Sequence, residues 1–174
     1  MFGKPIITNI EGLRLDRFFK SDMEYFAQSI SDPDINKWIY IDNALSKEQE
    51  EEWYDDITAR SDRYIWGIYY DNKLIGNCGL INIHPIKRNS EIGITVFEKS
   101  IYGKGIGTEC VRVLTDYAFN ELNCECVYYE ASVENKGSIA CAKKNGFLQC
   151  GEIPHAFYHD GQYYSMWFGY KLKQ

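Results

Sequence analysis

The sequence predicts an α/β protein of the α+β kind, with one mixed sheet of about seven strands and flanking helices. Three observations predict it: apolar spacings that switch between two and three-to-four, turn residues at each switch, and a glycine-rich turn between a strand and a long helix. The 174 residues are within the size of one domain, and a chain of that length buries about 70% of its unfolded surface. Hydrophobic residues are 45% and charged residues 25%, the balance of a folded domain, so disorder is excluded for most of the chain. No Pro-, Gly- or Ser-rich linker and no repeat divides it, so residues 1–174 are read as a single domain.

Taken in order, Leu13 and Leu15, with Phe18 less regularly placed, suggest a first strand. Ser21-Asp22 can cap a helix carrying Met23, Phe26, Ala27 and Ile30 at helical spacing, and a loop is expected near Pro33. Ser46 with Gln49 is a capping-box pattern opening a helix to about Arg60, with Trp53 and Ile57 on one face and acidic residues on the other. From Tyr64 the β-branched and aromatic runs Tyr64–Tyr70 and Leu74–Ile83 flank Asp71-Asn72-Lys73, which reads as a hairpin. Glu91–Phe97 alternates Ile92, Ile94 and Val96 against Glu91, Gly93 and Thr95, so it reads as a further strand. After the turn Tyr102–Gly107, Val111, Leu114, Ala118 and Leu122 mark a long helix that Asn123 stops. Then come a strand over Cys126–Val133, a helix over Lys136–Lys144 closed by Gly146, and two strands near Phe147–Tyr158 and Gln162–Leu172.

Composition also narrows the partners. A net charge of −6 provides no overall positive field for a phosphate backbone or an anionic lipid surface, so nucleic acid and membrane are not expected as partners. The six cysteines form no CxxC pair and several lie in apolar segments, which points to a reduced, cytoplasmic protein. No apolar run approaches the ~18 residues of a membrane span, and Asn9 and Glu11 interrupt any signal-like stretch. His155 and His159 lack the acidic or cysteine partners of a zinc site, so no metal is expected.

Gly103-x-Gly105-x-Gly107 lies between a strand and a helix, where glycines let backbone N–H groups turn toward an anion at the positive end of the helix. A diphosphate cradle and a simple turn into the helix are both open readings. A Walker A loop is excluded because Gly105 follows Lys104 where Ser or Thr is required. The Rossmann fingerprint is weak because Thr108 stands where its third glycine belongs.

The run Ile94–Thr108, followed by a helix, a strand and then Asn135–Phe147, resembles the GCN5-related N-acetyltransferase (GNAT) superfamily. Gly105-Ile106-Gly107 fits the G-x-G core of its acyl-CoA signature. Tyr102-Gly103-Lys104 is similar to the lead-in of the branch that holds ribosomal-protein N-terminal and spermidine/diamine acetyltransferases. Asn135, Ser138, Lys144 and Gly146-Phe147 fit the pattern of the following helix, and His155–Tyr164 resembles the closing hairpin. The likeness is close over Leu74–Leu172 and rests on element order alone before that.

The resemblance implies a GNAT-like acyl-CoA N-acyltransferase fold with acetyl-CoA as cosubstrate. The strands at Glu91–Phe97 and Cys126–Val133 would splay and admit pantetheine. Ile94, Thr95 and Val96 would offer it backbone groups, with Asn135 opposite and Lys144 among the cofactor residues. Tyr102, Gly103, Lys104, Gly105, Ile106, Gly107 and Thr108 would cradle the pyrophosphate. Asn135 reads equally well as a helix cap. The implied reaction moves the acetyl group to a primary amine in a ternary complex.

That chemistry needs a base for the amine, a donor to the carbonyl oxygen and stabilisation of the leaving thiolate. Glu91 is the candidate base, acting directly or through water, and a strand-end Glu that faces solvent or pairs with Lys87 or Arg88 is the alternative reading. The N–H near Val96 is the oxyanion donor that the family geometry implies. Ala142 departs from the pattern, because many members carry a tyrosine there; Ser138 or a tyrosine from elsewhere is the candidate replacement, and a third reading is that none is needed, since an alkyl thiol leaves more readily than an alkoxide. The same departure also fits a non-catalytic acyl-CoA-binding module or sensor.

For the acceptor, Glu48, Glu50, Glu51, Glu52, Asp55 and Asp56 form either a solvated helix face or the border of a groove for a cationic amine. Trp38, Tyr40, Trp53 and Tyr54 either wall such a groove or belong to the core. The acceptor class is an amine-bearing small molecule (a polyamine or aminosugar) or a protein N-terminus, and a homodimer is allowed.

Overall fold

A computed structural model describes residues 1–41 and 44–174. Thirteen helices and strands build it: β1 Ile6–Ile7, β2 Leu13–Asp16, α1 Met23–Ile30, α2 Pro33–Asn36, α3 Lys47–Ala59, β3 Tyr64–Tyr70, β4 Lys73–His84, β5 Asn89–Val96, α4 Ile106–Asn120, β6 Cys126–Ser132, α5 Lys136–Lys144, β7 Leu148–His159 and β8 Gln162–Leu172. The strands form one eight-stranded sheet ordered β1-β2-β3-β4-β5-β6-β8-β7. The strand beyond the expected seven is β1, whose two residues are too few to show a period. β5 and β6 are parallel, joined across α4, whereas the other pairings are antiparallel.

Local chemistry sets the element ends. Ser46 Oγ accepts from the Gln49 N–H while the Gln49 side chain accepts from the Ser46 N–H, which is the capping box read from the sequence. The loop expected near Pro33 is a one-turn helix, because the Asp32 carboxylate caps it and Pro33 sits in its first turn. Phe18 is not in the first strand, which ends at Asp16, and its ring is fully buried against the helices instead. On α3 the buried face runs through Glu50, Tyr54 and Ile57, and Trp53 lies half-buried, stacked on Phe18.

Two cores pack on opposite faces of the sheet. Ile92, Val127 and Tyr129 from the strands meet Val111, Leu114 and Ala118 of α4 and Ile139 and Ala142 of α5 on one face. Ile65 and Phe97 meet Phe18, Phe26, Ile30, Tyr54 and Ile57 of the α1–α3 layer on the other. Strand alternation decides the division, since neighbouring residues point to opposite sides. Among the described residues, no helix is long and apolar enough to cross a membrane.

Candidate active site

β5 and β6 pair only from Asn89 with Cys126 to Ile92 with Tyr129, and beyond that rung no pairing continues. The Phe97 N–H donates to the Ile75 carbonyl at 2.8 Å, so in this antiparallel ladder Phe97 and Thr95 spend their backbone groups on β4. Ile94 and Val96 therefore turn theirs toward the gap beside β6. The Tyr102 hydroxyl donates to the Val96 carbonyl at 2.8 Å and ties the strand end to the glycine turn. Thr95 is thus a correction to the expected set: its backbone is committed to Asn77, and the gap is served by its two neighbours.

The glycine turn has the geometry of an anion cradle. Gly103 and Gly105 have φ of 80° and 84°, and a Cβ at either would meet nothing within 4 Å. Among the described residues nothing crowds these two positions, so what favours glycine there is the left-handed backbone. The Lys104 N–H is used on Ile101, and the α4 ladder begins with Glu109 donating to Gly105 at 2.9 Å. Among the described residues, the N–H groups of Gly103, Gly105, Ile106, Gly107 and Thr108 have no acceptor. Five donors at the N-terminus of a 15-residue helix suit a diphosphate. Ile106 contributes only backbone, because its side chain is buried in the core below.

At α5 Asn135 takes the capping position. Its Oδ1 caps the helix by accepting from the Ser138 N–H at 3.1 Å, and its Nδ2 donors have no protein acceptor among the described residues. Ser138 is half-buried, with its Oγ 2.9 Å from the Tyr129 hydroxyl. Lys144 lies elsewhere than expected: it lines an open groove of about 660 Å³ with Leu148, Tyr170 and Lys171, and none of residues 102–108 joins it. The neighbouring Asn145 serves the cradle instead, with Nδ2 donating to the Thr108 and Cys141 carbonyls at 2.9 Å each. Helical spacing alone did not reveal which of the two side chains faces the turn.

On the opposite face, Glu91, Tyr128, Glu130, Glu152, Ile153 and Phe168 line a cavity of about 430 Å³. Glu91 does not pair with Lys87 or Arg88; its Oε2 accepts from Asn82 Nδ2 at 3.0 Å, while Arg88 binds Glu125. Burial, with Glu91 nearby, raises the pKa of the Glu130 carboxyl. Tyr40 packs against Phe157 with ring centres 4.2 Å apart and planes tilted by 55°, and donates to Met166 Sδ at 3.1 Å. Burial, then Glu130 and Glu91, raises its phenol pKa. Tyr40 holds φ of 61°, which costs a non-glycine residue about 1–2 kcal/mol and is the kind of strain that marks working positions. Of the four aromatics singled out in the sequence, Tyr54 and Trp53 belong to the helix-side core, Trp38 lies half-buried with Lys37 over its ring, and Tyr40 feels the charges of Glu130 and Glu91. On α3, Asp55, Glu51 and Asp56 pair with Lys20, Lys47 and Arg60, so much of that acidic run is neutralised at the surface.

The sheet thus parts between β5 and β6, with free N–H groups at the start of α4 and a carboxylate-lined cavity on the opposite face. The family model for the acetyltransferase (GNAT) domain matches residues 13–148, and the chain belongs to this family. The class is that of acetyl-CoA-dependent N-acetyltransferases. YdaF of Bacillus subtilis (strain 168), provisionally named a ribosomal N-acetyltransferase, is 38% identical over 58% of this chain and 57% of its own length. The spermidine N(1)-acetyltransferase of Escherichia coli (strain K12) is 24% identical over 90% of this chain and 84% of its own. The crystal structure of the Vibrio cholerae spermidine N-acetyltransferase in complex with CoA and spermine superposes with a TM-score of 0.84 at 23% identity, covering 94% of this chain and 96% of that one.

Proposed function

We propose that the protein moves the acetyl group of acetyl-CoA directly to a primary amine, with the cofactor on the α4–α5 side of the sheet and the amine on the Glu91–Glu130 side. The gap between β5 and β6 carries this reading, because their pairing stops at Ile92 and Tyr129 and leaves backbone groups of both strands without a ladder partner beyond that rung. The free N–H groups of Gly103 and Gly105–Thr108 hold the pyrophosphate, with Tyr102 and Lys104 flanking them. The backbone edges of Ile94 and Val96 and the amide of Asn135 bracket the pantetheine arm.

Glu91, oriented by Asn82, takes the proton that the ammonium must lose before it attacks. The Val96 N–H faces the carbonyl oxygen, where negative charge develops. Ser138 donates to the departing sulfur. Holding both reactants in one opening supplies much of the remaining acceleration. Three carboxylates around the cavity favour a cationic acceptor, and the amines named for the relatives, spermidine and a ribosomal protein, are of that kind.

The test is free-thiol release from acetyl-CoA with spermidine and with a peptide bearing a free α-amino group. Glu91→Gln should lower kcat by about 10²-fold or more, with CoA affinity unchanged by calorimetry. CoA binding with no thiol release from any cationic amine would instead favour a non-catalytic acyl-CoA-binding module.

A further inference from the structure

Ala142 is 0% exposed and packs in the same buried cluster as Ile139, Phe147 and Tyr129. A phenol reaches this neighbourhood from the strand instead. Tyr129 sits on the last paired rung before β5 and β6 part, its ring edge-on to Phe147 with centres 5.7 Å apart. Its hydroxyl lies 2.9 Å from Ser138 Oγ, and neither atom is fixed as the donor by distance alone.

Burial decides the direction. Tyr129 is 2% exposed, and Ser138 is the one partner recorded for its hydroxyl among the described residues. If Ser138 donated, the phenolic proton would be left buried without an acceptor, which costs about 1–3 kcal/mol. If Tyr129 donates, both hydroxyls are satisfied, because half-buried Ser138 can send its own proton into the opening. Burial also raises the phenol pKa, so Tyr129 stays a donor across the working pH range.

We propose that Tyr129 is a positioning residue that donates to Ser138 Oγ and so directs the Ser138 proton at the leaving sulfur. This rests on the acetyl-transfer reading above. In the step served, the neutral amine nitrogen forms its bond to the carbonyl carbon and gives up one proton to solvent, and the C–S bond breaks with its electron pair on sulfur. Ser138 donates a hydrogen bond to that thiolate, which then takes its proton from solvent. Tyr129 neither loses nor gains a proton.

The experiment compares Tyr129→Phe, Ser138→Ala and the double variant. Phenylalanine keeps the packed ring and removes only the hydroxyl, and the thermal midpoint of each variant checks folding. Thiol release should fall about 10²-fold for Ser138→Ala and about 10-fold for Tyr129→Phe, with KM for acetyl-CoA unchanged. The double variant should be no slower than Ser138→Ala, because Tyr129 acts only through it. A second measurement needs no turnover: the thiolate absorbance of bound CoA against pH. Both single variants should lower the thiolate fraction at a fixed pH by about tenfold relative to the unsubstituted protein.

Wild-type thiolate in Tyr129→Phe, or a Tyr129→Phe loss that adds in full to that of Ser138→Ala, overturns the positioning role. Absence of amine-dependent thiol release from the unsubstituted protein overturns the acetyl-transfer reading, and the thiolate titration still decides whether Tyr129 acts through Ser138.

Discussion

Placing glutamate at position 105 tests the cradle directly. Gly105 has φ of 84°, so any side chain there costs about 1–2 kcal/mol of stability. For a domain of this size each kcal/mol lowers Tm by roughly 2–4 °C, so the variant should melt about 2–8 °C lower and still fold. No protein atom lies within 4 Å of the added Cβ, so the effect on binding comes from what the side chain meets in the open space. A carboxylate about 4 Å from a phosphate charge costs about 4 kcal/mol at an effective dielectric of 20, or roughly a thousandfold in affinity. Gly105→Ala carries the same backbone strain without the charge, so it should show a similar drop in Tm and a much smaller loss of CoA binding. Isothermal calorimetry with CoA measures both. Affinity within threefold of the unsubstituted protein in a folded Gly105→Glu variant would refute the cradle.

Further outcomes follow from other sites. Glu50 is 3% exposed, and burial of its carboxyl pushes the pKa up to about 7. The folded state therefore keeps a proton that the unfolded chain has lost, and stability falls as pH rises from about 4.5 to 7. Glu50→Gln should match the parent below about pH 4 and exceed it by about 3 kcal/mol at pH 8 in chemical denaturation. Burial, with Glu91 nearby, raises the pKa of the Glu130 carboxyl, so KM for a cationic amine should fall as pH rises through its ionisation. Glu130→Gln should raise that KM and flatten its pH profile. Asn145→Ala removes two hydrogen bonds worth about 1 kcal/mol each. It should lower both Tm and CoA affinity, the second because the Thr108 backbone loses its tether.

The parts of the site that depend on local backbone rules were legible. A glycine pair that must take positive φ before a helix can be read from spacing, as can the Asn135 cap and the Ser46–Gln49 box. Positions set by long-range geometry were not. That Thr95 bonds to β4 while Ile94 and Val96 face the gap depends on which rungs of the ladder are hydrogen-bonded, and residue identity does not encode that. Glu130 is one acid inside a strand, and it meets Glu91 only because the α4 crossover lays β6 beside β5. The direction of Lys144 depends on the helix–sheet contact, and Glu50 looked like one more solvated acid in an acidic run.

The division of the apolar interior by the sheet bears on how such an enzyme changes its acceptor. Among the described residues, those of α1–α3 share no buried cluster with those of α4 and α5, so substitutions in the two layers should add in free energy to within a few tenths of a kcal/mol. The layer beside the amine can then accumulate changes, each tolerated or rejected on its own account, while the cofactor layer stays fixed. One scaffold can in this way diverge in what it acetylates without having to relearn how it holds its donor.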